Sequence, residues 1–169
     1  MPQKVMVLDT SVVCCWLDVP GKETAGSRED VWNADRVNVL LDNSIAEGAT
    51  LVLPLATLIE AGNHISQAPR SRFEIAVRLM DCLRMSLNSE SPWVAFVDQV
   101  ELWGNENLGR IAEDWPAHAA SKHSIGDATI KRVADYYSLA GFDVEIVTAD
   151  AALGAYSPAK PSAKPRRRG

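Results

Sequence analysis

Four short apolar runs recur along the chain, and longer stretches with helical spacing of their apolar residues separate them. The runs cover residues 5–8, 50–53, 94–97 and 144–147. Each is rich in branched or aromatic side chains and is bounded by turn-forming or polar residues, as expected of short strands buried on both faces. The pattern therefore predicts four strands.

The stretches between these runs predict helices. Amphipathic spacing indicates a helix opening at Val12 and further helices over residues 31–47, 54–65, 70–87, 100–120 (interrupted near Pro116) and 124–139. Residues 18–29 contain proline and two glycines and predict a polar loop. Strands that alternate with helices predict one three-layer α/β/α domain over residues 1–157, with a mostly parallel central sheet.

Composition is ordinary for a globular protein, with 47% hydrophobic and 23% charged residues among 169. No apolar run is long enough for a membrane-spanning helix, and the N-terminus lacks the features of a signal peptide, so a cytoplasmic protein is expected. The three cysteines, Cys14, Cys15 and Cys82, lack the spacing of metal ligands and are assigned to the core.

Residues 158–169 differ from the rest of the chain because they combine prolines with five basic residues and no acid, whereas the net charge of the whole chain is −5. The basic residues are Lys160, Lys164, Arg166, Arg167 and Arg168. This composition predicts a disordered tail. Its positive charge makes it a weak candidate for contacting phosphates, and a solvated chain end is the simpler interpretation.

Carboxylates occur where a parallel sheet would bring them to one edge. Asp9 ends the first strand and Asp150 follows the last, while Glu60 and Asp127 lie in helices that follow or precede a strand. Ligands of open α/β sheets bind outside the carboxyl ends of the strands. Clustered carboxylates suit Mg²⁺ or Mn²⁺, and two such ions can promote phosphodiester cleavage.

Each of these acids also has a purely structural interpretation. Asp9 and Asp150 belong to the residue types that cap helix N-termini. Ser124 and Asp127 have the spacing of a loose capping box. Glu60 could face solvent on its helix.

Four motifs together resemble those of the PIN-domain ribonucleases. They are Val7-Leu8-Asp9-Thr10-Ser11, Leu53-Pro54 followed after four residues by Ile59-Glu60, Ser124-x-x-Asp127-Ala128, and Val147-Thr148-Ala149-Asp150. Their order, spacing and strand–helix context all agree with the family, and the resemblance spans about residues 4–153.

The resemblance implies a PIN-like fold and an endoribonuclease that cleaves single-stranded RNA with Mg²⁺ or Mn²⁺. Many small bacterial members are toxins that pair with an antitoxin protein and often form homodimers. It further implies that catalysis and metal binding fall to Asp9, Glu60, Asp127 and Asp150, with hydroxyl support from Thr10, Ser11 and Thr148. In such an enzyme the basic tail would contact RNA.

Other functions stay open on the residues alone. The chain departs from the family in lacking a further strand after the last motif and in longer segments over residues 18–30 and 98–123. The alternatives are a catalytically silent PIN-like module that binds RNA or protein, a hydrolase acting on DNA, and a processing enzyme in place of a toxin. A phosphatase of the haloacid dehalogenase type would need an acid at position 11, where this chain has serine.

Overall fold

The computed structural model describes residues 1–162, except for the side chains of Phe96 and Val97. The strands and helices occur in the order β1 (Lys4–Leu8), α1 (Thr10–Trp16), β2 (Ala25–Gly26), β3 (Val31–Trp32), α2 (Ala34–Ala46), β4 (Thr50–Val52), α3 (Leu55–Gln67), α4 (Arg72–Leu87), a 3₁₀ helix (Phe96–Trp103), α5 (Asn105–Ala120), α6 (Ile125–Leu139), β5 (Asp143–Val147) and α7 (Ala151–Gly154). Within residues 1–162, none of the helices is long and apolar enough to cross a membrane.

A parallel three-stranded sheet with the strand order β4-β1-β5 forms the centre of the fold. Val5 in β1 lies opposite Thr50 in β4 and opposite Val144 in β5. Because the three strands run in the same direction, the segments that begin at residues 9, 53 and 148 all leave the sheet at one edge.

Both faces of the sheet are buried, which explains why its strands are almost continuously apolar. Met6 and Leu8 point to one face and belong to a core built with α1, α2, α3 and α4. Val5 and Val7 point to the other face and pack with α6 and Leu102 of the 3₁₀ helix. The predicted three-layer α/β/α fold is therefore confirmed.

The third predicted strand, over residues 94–97, is wrong. Only Trp93 bridges to Leu51, and the backbone then turns into the 3₁₀ helix. Strand β4 is only three residues long and is followed by Leu53 and Pro54, so it offers little edge for longer pairing. The buried Gln99 amide instead donates a hydrogen bond of 2.9 Å to the Leu53 carbonyl oxygen and holds the 3₁₀ helix against the sheet.

The second helix begins later than the pattern predicted, because residues 31 and 32 form β3. This short strand pairs antiparallel with β2, which lies inside the segment predicted to be loop alone. Asn33 then caps α2, and its side chain accepts a hydrogen bond of 2.9 Å from the backbone N–H of Arg36. In β3 the side chain of Trp32 is buried in the core, whereas that of Val31 is exposed.

The remaining helix ends follow the sequence signals. Ser124 is the N-cap of α6, and Gly48 and Gly141 adopt positive φ angles just beyond α2 and α6. The predicted break near Pro116 is wrong, since α5 continues through it. The interruption lies at Gly104 instead, where the 3₁₀ helix ends and α5 begins.

Candidate acidic site at the carboxyl edge of the sheet

A cavity of about 340 Å³ opens at the carboxyl edge of the sheet, and the four strand-associated acids all line it. We call it the acidic cavity. Its lining consists of Asp9, Thr10, Ser11, Cys14, Lys22, Thr24, Ala25, Glu60, His64, Asp127 and Asp150. Residues more than a hundred positions apart in the chain thus share one wall.

Asp9 is 7% exposed and is fixed by two hydroxyl groups. Its Oδ2 atom accepts hydrogen bonds from Ser11 Oγ at 2.9 Å and from Thr148 Oγ1 at 2.7 Å. Asp9 occupies the N-cap position of α1, but its side chain makes no capping hydrogen bond. The hydroxyls therefore link the carboxylate at the end of β1 to the segment that follows β5.

Two hydrogen bonds hold Glu60 at the carboxyl edge of the sheet, one from α3 to β1 and one from α1 to α3. Thr57, one turn earlier in α3, donates from its buried hydroxyl to the Leu8 carbonyl oxygen at 2.8 Å, which ties α3 to the end of β1. Thr10 then donates to Glu60 Oε2 at 2.9 Å. Glu60 is only partly exposed, and it lines the same cavity as Asp9.

Gly126 is a site residue that the sequence analysis missed. A Cβ atom at this buried position would overlap Oε1 of Glu60, so the first turn of α6 can approach that carboxylate only because residue 126 has no side chain. The available signal was the glycine itself, since glycine inside a helix is disfavoured unless close packing requires it.

Asp127 sits in the first turn of α6, where its backbone N–H donates to Ser124 Oγ at 2.9 Å. The serine half of the capping box is thus present, and the Asp127 carboxylate lines the cavity. Burial raises the pKa of this carboxyl above its ordinary value of 3.8; hydrogen bonds from Ser124 lower it, and the charges of Asp9 and Asp150 raise it further.

Asp150 has the structural role that its residue type suggests. Its Oδ1 atom accepts a hydrogen bond of 2.9 Å from the Leu153 backbone N–H and caps α7. Its own N–H donates to Thr148 Oγ1 at 3.0 Å, so the hydroxyl that binds Asp9 also positions Asp150. The residue is exposed and still lines the acidic cavity, so capping uses one of its oxygens without removing it from the site.

The segment between α1 and α2 adds further walls that the sequence analysis did not assign. Lys22, Thr24 and Ala25 reach the cavity from this segment, and Lys22 supplies a positive charge there. Cys14 also faces the cavity, but burial raises the pKa of its thiol to about 12, so it is a neutral part of the wall. His64 lies one turn after Glu60 in α3 and completes that side.

The basic tail is not part of this wall. Lys160 is exposed and does not line the acidic cavity. The other four basic residues of the predicted tail, Lys164, Arg166, Arg167 and Arg168, lie outside the described residues. Their assignment to RNA contacts stays a prediction from the sequence.

The chemistry of the donors fits a hard divalent cation, because four carboxylates and three hydroxyls supply only oxygen. Like charges that share a cavity also favour a neutralising cation. In the part of the chain that the structure describes, however, no group of three or more Asp, Glu, His or Cys side chains is placed to hold a metal ion. Metal binding by these acids therefore stays a prediction.

Comparison with known proteins adds no relative: no family model, curated protein or solved structure matches the chain. The chain is a three-layer α/β/α protein with four carboxylates on one cavity at the carboxyl edge of a parallel sheet.

The raised pKa of Asp127 predicts a pH-dependent effect on stability. A carboxyl whose pKa is higher in the folded state destabilises the fold once pH rises above 3.8, and the full penalty is present above the raised value. Asp127→Asn should therefore raise the melting temperature at pH 7 in metal-free buffer, by about 2–4 °C for each 1 kcal/mol removed. The gain should shrink as pH falls toward 3.8 in thermal unfolding followed by circular dichroism.

Asp35→Asn is the matched control for this experiment. Asp35 is exposed in the first turn of α2, so its loss removes an acid from a helix N-terminus without removing one from the cavity. We expect it to lower stability slightly, since an acid favours that end of a helix. A gain for Asp127→Asn that is the same at pH 4 and pH 7 would contradict the electrostatic explanation.

Proposed function

We propose that the protein is a metal-dependent endoribonuclease of the PIN type that cleaves single-stranded RNA. The observation that carries this proposal is the convergence of Asp9, Glu60, Asp127 and Asp150 on one cavity. The resemblance of four motifs to the PIN-domain ribonucleases supports it, because the residues of those motifs are the ones that converge.

The protein's own residues would hold the reactants in place. The hydroxyls of Ser11 and Thr148 leave the Asp9 Oδ1 atom without a hydrogen bond among the described residues, so that oxygen is free to face a ligand. Mg²⁺ or Mn²⁺, when bound, would supply a nucleophilic water and stabilise the charge that develops on the phosphate. Lys22, which also lines the cavity, would attract the substrate's phosphate groups.

The finer biological role rests on the same resemblance. We propose that the enzyme acts in the cytoplasm and is the toxin of a toxin–antitoxin pair. Exposed apolar side chains on the packed pair α3 and α4, namely Ile59, Phe73 and Val77, support a protein partner, which would be an antitoxin or a second copy of the chain.

A catalytically silent PIN-like module is the second candidate. The observation that favours it is that, within residues 1–162, no three ligating side chains are already placed around one ion position. Such a module would keep the acidic cavity for binding and would show no hydrolysis with any divalent cation.

The first test of the proposed function is metal removal together with loss of Asp9. Purified protein should cleave a fluorescently labelled single-stranded RNA with Mg²⁺ or Mn²⁺ and should lose this activity in EDTA. Asp9→Asn should lower the cleavage rate by about a hundredfold or more, since transition-state stabilisation by a preorganised charge is usually worth that much. Asparagine keeps an oxygen for the hydroxyls of Ser11 and Thr148, so the fold should persist.

Asp143→Asn provides the control, because Asp143 is an exposed aspartate at the opposite end of the sheet. Its rate should equal that of the wild type. Cleavage that continues in EDTA would exclude the metal mechanism, whereas a folded wild type that never cleaves RNA would favour the silent module.

Gly126→Ala separates catalysis from stability. The added methyl group would displace the Glu60 carboxylate, and a displacement of about 1 Å near a reaction centre can reduce the rate by about a hundredfold. Stability should change little, because Glu60 is a flexible side chain and alanine is the better helix former by about 1 kcal/mol. Cleavage kinetics and thermal unfolding are measured on the same preparation.

Gly109→Ala is the matched control in α5, where a Cβ atom meets nothing within 4 Å. It should leave cleavage unchanged and increase stability. Equal activity of Gly126→Ala and the wild type would show that the position of Glu60 is not required.

A further inference from the structure

A second cavity, of about 360 Å³, lies between α5 and α6 and is closed on one side by the chain after α7. We call it the α5–α6 pocket. Its lining includes Trp115, His118, His123, Lys131 and Tyr156. None of these residues takes part in the acidic site described above.

A third cavity lies between these two and shares wall residues with each. This smaller cavity of about 200 Å³, which we call the connecting cavity, shares Asp127 and Asp150 with the acidic cavity and shares His123 and Lys131 with the α5–α6 pocket. Asp127 and Lys131 are four residues apart on α6, which places them on the same side of the helix, about 6 Å apart along its axis. The three cavities therefore lie next to one another, with shared side chains between neighbours, and we call this row of cavities the groove.

Two lysines, Lys122 and Lys131, line the connecting cavity together with Asp127 and Asp150, and the lysines are the groups there that can bind an anion. The Tyr156 hydroxyl donates its one proton in a bifurcated hydrogen bond to both carboxylate oxygens of Asp135, at 2.9 and 2.8 Å, and Asp114 pairs with Arg132 at 3.2 Å. Asp114 is thus neutralised by Arg132, whereas Asp135 is hydrogen-bonded but keeps its negative charge, because the tyrosine hydroxyl is neutral. The two lysines of the neighbouring connecting cavity have no such partner among the described residues.

Lys122 and Lys131, which line the connecting cavity, form no ion pair with any of the described residues. The ammonium group of Lys131 lies 5.2 Å from the centre of the Tyr156 ring, a distance at which the ring attracts it. Lys131 is therefore held at the boundary between the two cavities, with its charge available to a ligand.

Aromatic rings surround the far part of the groove. The Trp115 indole N–H donates to the His123 carbonyl oxygen at 3.2 Å, which fixes the ring in the wall. The rings of His118 and His123 meet edge to face with their centres 6.2 Å apart. A π-surface next to an unpaired cation is the combination that binds single-stranded nucleic acid, since bases stack on aromatic rings and phosphates bind lysine.

We propose that the α5–α6 pocket is a nucleotide subsite for single-stranded RNA, in which one base contacts Trp115 and its phosphate lies in the connecting cavity near Lys122 and Lys131. The inference deepens the proposed nuclease function and rests on it. The RNA phosphate to be cleaved would lie at the acidic cavity, and the rest of the RNA would continue along the groove. The pocket volume accommodates one base, so it adds one nucleotide of recognition.

The test measures RNA binding separately from cleavage. An eight-nucleotide, fluorescein-labelled single-stranded RNA of mixed sequence is titrated with protein in EDTA, and fluorescence anisotropy gives the dissociation constant over a range of salt concentrations. Trp115→Leu should weaken binding by roughly 5- to 150-fold, the range that stacking on one base covers. Trp115→Phe should restore most of the affinity, because it keeps an aromatic face.

Lys131→Gln tests the phosphate contact on a variant that keeps the aromatic wall. It should weaken binding and reduce the slope of log K against log salt by about 0.7, the value for one phosphate on a single strand. The control is Lys4→Gln, which also removes one positive charge. Lys4 pairs with Glu145 at 2.6 Å near the opposite end of the sheet, and its variant should keep the wild-type slope.

The outcomes distinguish this inference from the proposed function. The subsite is wrong if the wild type does not bind the RNA. It is also wrong if both variants fold, Trp115→Phe binds the RNA no better than Trp115→Leu, and Lys131→Gln binds it like the wild type. Cleavage that still depends on Asp9 would then leave the nuclease proposal intact. If the variants bind as predicted but the wild type cleaves no RNA with Mg²⁺ or Mn²⁺, the subsite is supported and the nuclease proposal fails.

Discussion

The parallel alignment of β4, β1 and β5 is the constraint on which the rest of this structure depends. It places the ends of all three strands at one edge, and the segments leaving that edge carry Asp9, Glu60 and Asp150. The hydrogen bond from Thr148 to Asp9 locks the ends of β1 and β5 together at 2.7 Å. Removal of the parallel pairing would separate these acids, whatever their order in the sequence.

The same convergence concentrates negative charge, and the protein accommodates it with hydroxyls. Asp9 and Glu60 each receive a hydrogen bond from a neighbouring threonine, so their carboxylates are solvated by the protein in place of water. Ser124 also donates to Asp127, but burial and the charges of Asp9 and Asp150 outweigh those hydrogen bonds and raise its pKa. The protein thus compensates part of the negative charge, and the rest is the charge that the proposed metal ions would neutralise.

Polarity changes along the groove in a way that matches an extended anionic ligand. Acids dominate at the edge of the sheet, and aromatic rings line the α5–α6 pocket. Between them, in the connecting cavity, two lysines without an ion pair among the described residues lie with Asp127 and Asp150. Single-stranded RNA carries phosphates and bases in alternation, so its phosphates can contact the lysines and its bases can stack on the aromatic rings. The acidic end would bind a phosphate only with the help of a cation, which is why metal dependence and RNA binding are linked in the proposed function.

The sequence by itself predicted the layers of the fold and the four acids that line the acidic cavity. Apolar runs such as residues 5–8 are buried on both faces, so their pattern identifies β1 without knowledge of its neighbours. The same local signals identified α6, with its cap at Ser124, and singled out the four acids. In contrast, residues 94–97 look like a strand, yet they form none because β4 offers too short an edge for pairing.

Tertiary structure alone decided which groups meet. Gly126 and Glu60 are 66 positions apart, and their close approach depends on how α6 packs against α3. Lys22, from the segment between α1 and β2, likewise lines the acidic cavity, and Lys122 and Asp150, 28 positions apart, line the same connecting cavity. Local sequence signals act over a few residues, whereas these contacts follow from packing between segments distant in the chain, so only the folded structure could reveal them.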